Sequence, residues 1–166
     1  AGFFGFVYVA VMMSFIYQIR ELQNGGEFVV LLFLAAWGND TLAYCTGMLI
    51  GKHKMSPILS PKKSIEGLVG GIVGAAILGA LYGLYLNTYI RFSFNPVTMF
   101  PIVCGLSGAV SVIGDLAASA IKRDSGIKDY GTLIPGHGGI LDRFDSIIFI
   151  APVIYYLTVM ISGGAI

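Results

Sequence analysis

The residues with most chemistry to offer lie between Ser119 and Asp145, in the run SAIKRDSGIKDYGTLIPGHGGILDRFD. Lys122, Arg123, Lys128, Asp129, His137, Asp142, Arg143 and Asp145 crowd into it, whereas most of the chain is apolar. Charge held beside a membrane costs free energy unless something charged binds there. The mixture suits a phosphate-rich, metal-bound ligand. Cations hold phosphoryl oxygens, carboxylates hold a divalent ion, and glycines let backbone N–H groups come close to an anion.

Asp142 and Asp145 are three residues apart, so on one helical turn they point the same way and Arg143 points elsewhere. Two such carboxylates repel unless a cation sits between them, and hard oxygen ligands suit Mg²⁺. A solvated pair at a helix end is the plainer reading. Asp40 and Asp115 fall inside apolar runs, where a carboxylate is a functional candidate by default and a structural hydrogen bond is the alternative. Ser119 and Lys122 follow Asp115 on one helical face, giving a stripe of carboxylate, hydroxyl and ammonium. Asp115, arriving from a different helix, would complete a ligand set with Asp142 and Asp145 and set the fourth and fifth spans side by side. Asp40, followed by Tyr44 and Gly47, is a secondary site residue. His137, within Pro135-Gly136-His137-Gly138-Gly139, reads equally as a base, a phosphate donor or a turn residue. The Cys/His set usual for zinc is missing around it. His53, between two lysines, reads as a solvated loop residue.

These side chains need a scaffold, and composition says which kind. The chain has 166 residues, 56% hydrophobic and 11% charged, with a positive mean hydropathy. That excludes an ordinary soluble domain and implies an all-α, polytopic membrane bundle formed as one domain over residues 1–166. Five apolar runs reach the roughly 17 to 25 residues that a helix needs to cross the hydrocarbon core. They lie near Phe3–Ile19, Phe28–Ile50, Leu68–Ile90, Val97–Ile121 and Ile147–Ile161. Repeated glycines from Gly67 to Gly83 read as close helix packing. Cys45 and Cys104 sit in apolar runs and carry no assigned chemistry.

Ser60 and Pro61 read as the cap and first position of a helix, which would set Lys62 and Lys63 at helix-end N–H groups that favour an anion. Lipid headgroups are the competing partner for these lysines. Lys52, Lys54, Lys62 and Lys63 lie in one connection, and Lys122, Arg123, Lys128 and Arg143 in another on the same side of five alternating spans. The opposite side receives Arg20 and Arg91, so the charged connections are expected to be cytoplasmic. A net charge of +1 says little about partners, and no nucleic acid is expected.

The pattern Ser119-x-x-Lys122-Arg123, Lys128-Asp129, Pro135-Gly136-His137-Gly138-Gly139 and Asp142-Arg143-x-Asp145 resembles the signature of the phosphatidate cytidylyltransferases, or CDP-diacylglycerol synthases. Ser60-Pro61-Lys62-Lys63-Ser64-x-Glu66-Gly67 and Asp40-x-x-Ala43-Tyr44-x-x-Gly47 agree with that family too. Ser64 stands where Thr is more usual and keeps the hydroxyl. The chain looks like the C-terminal, signature-bearing part of such proteins, as a fragment or a short form. The resemblance implies transfer of the cytidylyl group of CTP to phosphatidic acid in the cell's inner membrane, by a homodimer whose site faces the cytoplasm among membrane lipids. The expected catalytic set is Asp115, Ser119, Lys122, Asp142 and Asp145, with Mg²⁺ on Asp115, Asp142 and Asp145. The sequence leaves a second, monovalent cation open. Lys62, Lys63, Arg123, Lys128, Asp129, His137, Arg143 and Asp40 are the expected substrate-binding set.

Three other readings compete with this one. A CDP-alcohol phosphotransferase would carry Asp-Gly-x-x-Ala-Arg, which the chain does not contain. A relative acting on another lipid phosphate, such as an isoprenoid ether lipid, has no distinguishing mark in the sequence. An ion-coupled transporter would gather its charge at mid-membrane, whereas here most of it lies at the ends of the spans.

Overall fold

A backbone in hydrocarbon must satisfy its own hydrogen bonds, which turns apolar runs of sufficient length into helices. A computed structural model describes residues 6–56, 60–124, 126–127, 139 and 141–162. The side chains of Phe6, Ser60, Pro61, Lys62 and Arg143 lie outside that description. Helix α1 covers 6–21, π-wound across Phe6–Val11 and α-helical across Met12–Glu21. Helix α2 is Gly25–Ile50, with a π-wound stretch at Leu34–Gly38 directly before Asn39 and Asp40. Strands β1 (Lys54–Ser56) and β2 (Ser60–Ser64) form a hairpin, followed by α3 (Ile65–Asn87), α4 (Pro96–Asp124) and α5 (Leu141–Ile161).

The expected all-α membrane bundle is the observed architecture. Among the described residues four helical stretches are long and apolar enough to cross a membrane: α2, α3, α4 and Phe144–Ile161 within α5. The expected first span appears as α1, whose described part is too short to count as a crossing. Each helix packs on the next from α2 to α5, and α1 returns to lie on α5. Thus α4 and α5 are neighbours, as a shared set of acidic groups from both helices requires.

Helix α3 sits between α2 and α4 and explains how they come so close. Gly67, Gly71, Ala75, Gly79 and Gly83, one on every fourth residue, are buried along it, with Leu86 at its far end. Small residues at this spacing make a flat stripe along which backbones touch. A Cβ on Gly71 would lie 2.8 Å from the main-chain oxygen of Asn39 in α2, and one on Gly79 would lie 2.7 Å from that of Phe100 in α4. Far from the hairpin, Phe28, Tyr82, Phe92 and Phe94 gather around fully buried Phe100, with ring centroids 5.7 to 6.1 Å from it.

The helix start differs from the sequence expectation. Ser60 and Pro61 do not cap α3; they belong to β2, which pairs antiparallel with β1 in the register Lys54↔Ser64 and Ser56↔Ser60. Ser64 is the cap, its hydroxyl accepting the Gly67 N–H at 3.1 Å. Both serines satisfy the local rule for a cap, and pairing with β1 decides between them. Lys62 and Lys63 therefore enter on a strand instead of the first helical turn.

The stripe on α3 sets the first prediction. Gly71→Val should destabilise the protein by about 1–3 kcal/mol through overpacking against α2. Gly26→Ala, at a position where an added Cβ meets nothing within 4 Å, should change little. Thermal unfolding in detergent checks both, and equal melting points would contradict the packing.

Candidate active site

The hairpin, the starts of α3 and α5 and stretches of α2 and α4 line a half-open cavity of about 610 Å³. Helix α2 contributes Asp40, Tyr44 and Met48 on one face, α4 contributes Asp115, and α5 contributes Asp142, Asp145 and Ser146. Lys54, Met55 and Lys63 close it from the hairpin. The hairpin therefore meets α4 and the start of α5 toward one end of the bundle. The cavity is two-sided in character. Its inner wall is acidic, whereas Tyr44 and Met48 are 61% and 64% exposed and give it an apolar lip.

Each of the four carboxylates has a specific compensation. Lys63 Nζ donates to Asp115 Oδ2, joining the hairpin to α4. Lys122 Nζ donates to Asp142 Oδ1 at 2.8 Å, joining α4 to α5. The Gly139 N–H donates to the other oxygen of Asp142 at 3.0 Å. Asp145 Oδ1 accepts the N–H of Ser146 at 2.8 Å, and Asp40 Oδ2 accepts the Ser146 hydroxyl at 3.2 Å. Among the described residues, Asp40 and Asp145 have no ion-pair partner.

Glu66 fixes the hairpin that delivers Lys63. Its carboxylate accepts the N–H of Lys52 at 3.1 Å and of His53 at 3.2 Å, and it meets His53 Nδ1 at 2.6 Å. The Ile65 N–H donates to His53 O at 2.9 Å, so both ends of the hairpin are tied together. His53 thus has a structural partner, although its side chain is 76% exposed.

The structure gathers Asp40, Lys63, Asp115, Asp142 and Asp145 at the cavity, with Lys122 bonded to its edge. Ser119 lies one turn beyond Asp115, half-buried and outside the described lining. Arg123 is exposed and reaches toward Ile127 O at 3.5 Å. Lys128, Asp129 and His137 lie outside the described residues, as do the side chains of Lys62 and Arg143. Sequence reasoning missed Ser146 altogether, and it gave Ser64 and Glu66 no structural role. Glu66 next to a helix start was the available signal for the hairpin clamp; Ser146 had none beyond adjacency to Asp145.

The donor chemistry fits a hard divalent ion in one mode. Among the described residues no three acidic, histidine or cysteine side chains converge closely enough to hold an ion together. Mg²⁺ commonly takes one or two carboxylates and completes its shell with water and substrate phosphates. One or two of Asp115, Asp142 and Asp145 suit that arrangement, and an all-protein cage does not match this wall.

A profile of the cytidylyltransferase family matches residues 1–161. The chain is 40% identical over 152 residues to a phosphatidate cytidylyltransferase of Staphylococcus aureus, covering 92% of this chain and 56% of that protein. A phosphatidate cytidylyltransferase of Staphylococcus saprophyticus is 37% identical over 154 residues, covering 93% of this chain and 56% of its own length. The chain spans about half the length of the curated relatives it matches. These matches reach well beyond the 119–145 signature.

The Lys122–Asp142 pair is testable by itself, because the two side chains are only 12% and 8% exposed. Lys122→Met should cost on the order of 3 kcal/mol by removing the ammonium that neutralises a buried carboxylate. Adding Asp142→Asn should recover part of that loss. Thermal unfolding of the wild type and these variants reads the difference, and a wild-type melting point for Lys122→Met would refute the pairing.

Proposed function

The chain belongs to the cytidylyltransferase family, and from that premise we propose that it transfers the cytidylyl group of CTP to phosphatidic acid, giving CDP-diacylglycerol and pyrophosphate. The observation that carries the proposal is the cavity in which acids and lysines meet beside an apolar lip. That combination suits a nucleoside triphosphate and a lipid phosphate together.

In the proposed step, an oxygen of the lipid phosphate forms a bond to the α-phosphorus of CTP. The bond from that phosphorus to the β-phosphate oxygen breaks, and pyrophosphate leaves with the electron pair. The attacking phosphate is already anionic, so the protein need supply no base. Its work is positioning and charge neutralisation. Lys63 and Lys122 present ammonium groups at the cavity and its edge, where phosphoryl oxygens would take them over from Asp115 and Asp142. One or two of Asp115, Asp142 and Asp145 would hold Mg²⁺, which supplies neutralisation of phosphoryl charge when bound. The exposed Tyr44–Met48 face of α2 gives the acyl chains an apolar surface to lie on.

The same proposal puts the protein in the cell membrane, with the lysine-bearing connections and the cavity on the cytoplasmic side. A homodimer is the assembly that the family resemblance suggests.

The test is conversion of CTP and phosphatidic acid by the purified full-length protein in detergent, with and without Mg²⁺. Product should form only with the metal. Asp115→Asn and Asp142→Asn should each lower turnover by on the order of 100-fold or more while the protein still inserts and purifies. Absence of product from the wild type with Mg²⁺, or full rates in both variants, would overturn the assignment.

A further inference from the structure

Ser146 is the first residue after the acidic pair of α5, and it serves two carboxylates with two different donors. Its backbone N–H goes to Asp145 Oδ1 at 2.8 Å, and its hydroxyl goes to Asp40 Oδ2 at 3.2 Å. The hydroxyl lies 3.5 Å from Asp145 Oδ1, so its single proton favours Asp40. Ser146 is 3% exposed and Asp145 is 6% exposed, so water offers little substitute for either donor. The hydroxyl bond joins residues 106 positions apart and crosses from α5 to α2.

We propose that Ser146 is a positioning residue that keeps Asp40 on the α2 wall, away from the Lys63–Asp115 pair, and thereby sets how tightly the cavity holds a divalent cation. The role rests on reading the cavity as a metal-assisted transferase site. Asp40 is repelled by Asp115, attracted by Lys63 and steadied by the neighbouring Asn39. Without the hydroxyl, the attraction of Lys63 is free to draw it toward the lysine that Asp115 now holds. Asp115 then shares its ammonium with a second carboxylate, and the acidic wall loses the geometry in which Asp115 and Asp145 face the cavity from separate helices. Asp145 keeps its backbone donor whatever side chain stands at 146, so the effect travels through Asp40.

Mn²⁺, an oxygen-seeking ion readable by electron paramagnetic resonance, is the probe for the full-length protein without nucleotide. Ser146→Ala should weaken Mn²⁺ binding by about tenfold or more, the loss expected for a hydrogen bond to a buried charge. Ser146→Thr keeps the hydroxyl and should restore most of the affinity. Ser146→Ala combined with Asp40→Asn should bind no worse than the weaker single variant, because both act on one interaction.

Unchanged Mn²⁺ binding in Ser146→Ala, failure of Ser146→Thr to recover it, additive losses in the double variant, or no Mn²⁺ binding by the wild type would each overturn the proposal. Should Ser146→Ala not purify, Asp40→Asn alone must change Mn²⁺ affinity, and wild-type binding there overturns it equally. CTP turnover by the same proteins separates the two readings. A Ser146-dependent Mn²⁺ site in a protein that transfers no cytidylyl group supports the positioning role and removes the functional assignment.

Discussion

Four carboxylates held at one end of an apolar bundle repel one another, and their compensation dictates much of the surrounding structure. Asp115 is met by Lys63, which needs a hairpin reaching over the end of α4. That hairpin needs Glu66 to tie its two ends and Ser64 to start α3 at the right residue. Asp142 is met by Lys122, which needs α4 to continue past the apolar run into the charged connection. Asp40 can take part because the small-residue stripe of α3 keeps α2 close to the rest of the bundle. The acidic wall is therefore a product of backbone packing deep in the membrane as well as of local sequence.

Among the described residues, two ammonium groups pair with Asp115 and Asp142, while Asp40 and Asp145 accept hydrogen bonds from Ser146. In the proposed reaction a nucleoside triphosphate arriving with a divalent ion would neutralise charge on the wall as well as its own, and the lysines would pass from the carboxylates to phosphoryl oxygens.

Much of this was legible in the sequence because it follows from one-dimensional rules. Apolar run length gave the later four helices to within a few residues of their ends, except that α5 begins several residues earlier, at Leu141. The odd cost of a carboxylate in an apolar run pointed to Asp40 and Asp115, and three-residue spacing pointed to Asp142 and Asp145. The start of α3 was misread because Ser60-Pro61 and Ser64 both obey the capping rule, and only strand pairing with Lys54–Ser56 tells them apart. Ser146 was invisible for a related reason: a bond between residues so far apart in the chain leaves no local pattern. The glycines of α3 were legible as packing, but not which of them would face α2 and which α4.

The proposed reaction requires this acidic, lysine-bridged cavity to receive a nucleoside triphosphate together with a divalent ion. Equilibrium binding of labelled CTP to the purified protein, titrated with Mg²⁺, tests it most directly. Saturable binding that requires the metal and is lost in Asp142→Asn is the expected result. Binding that ignores Mg²⁺, or that survives intact in Asp142→Asn, would contradict it.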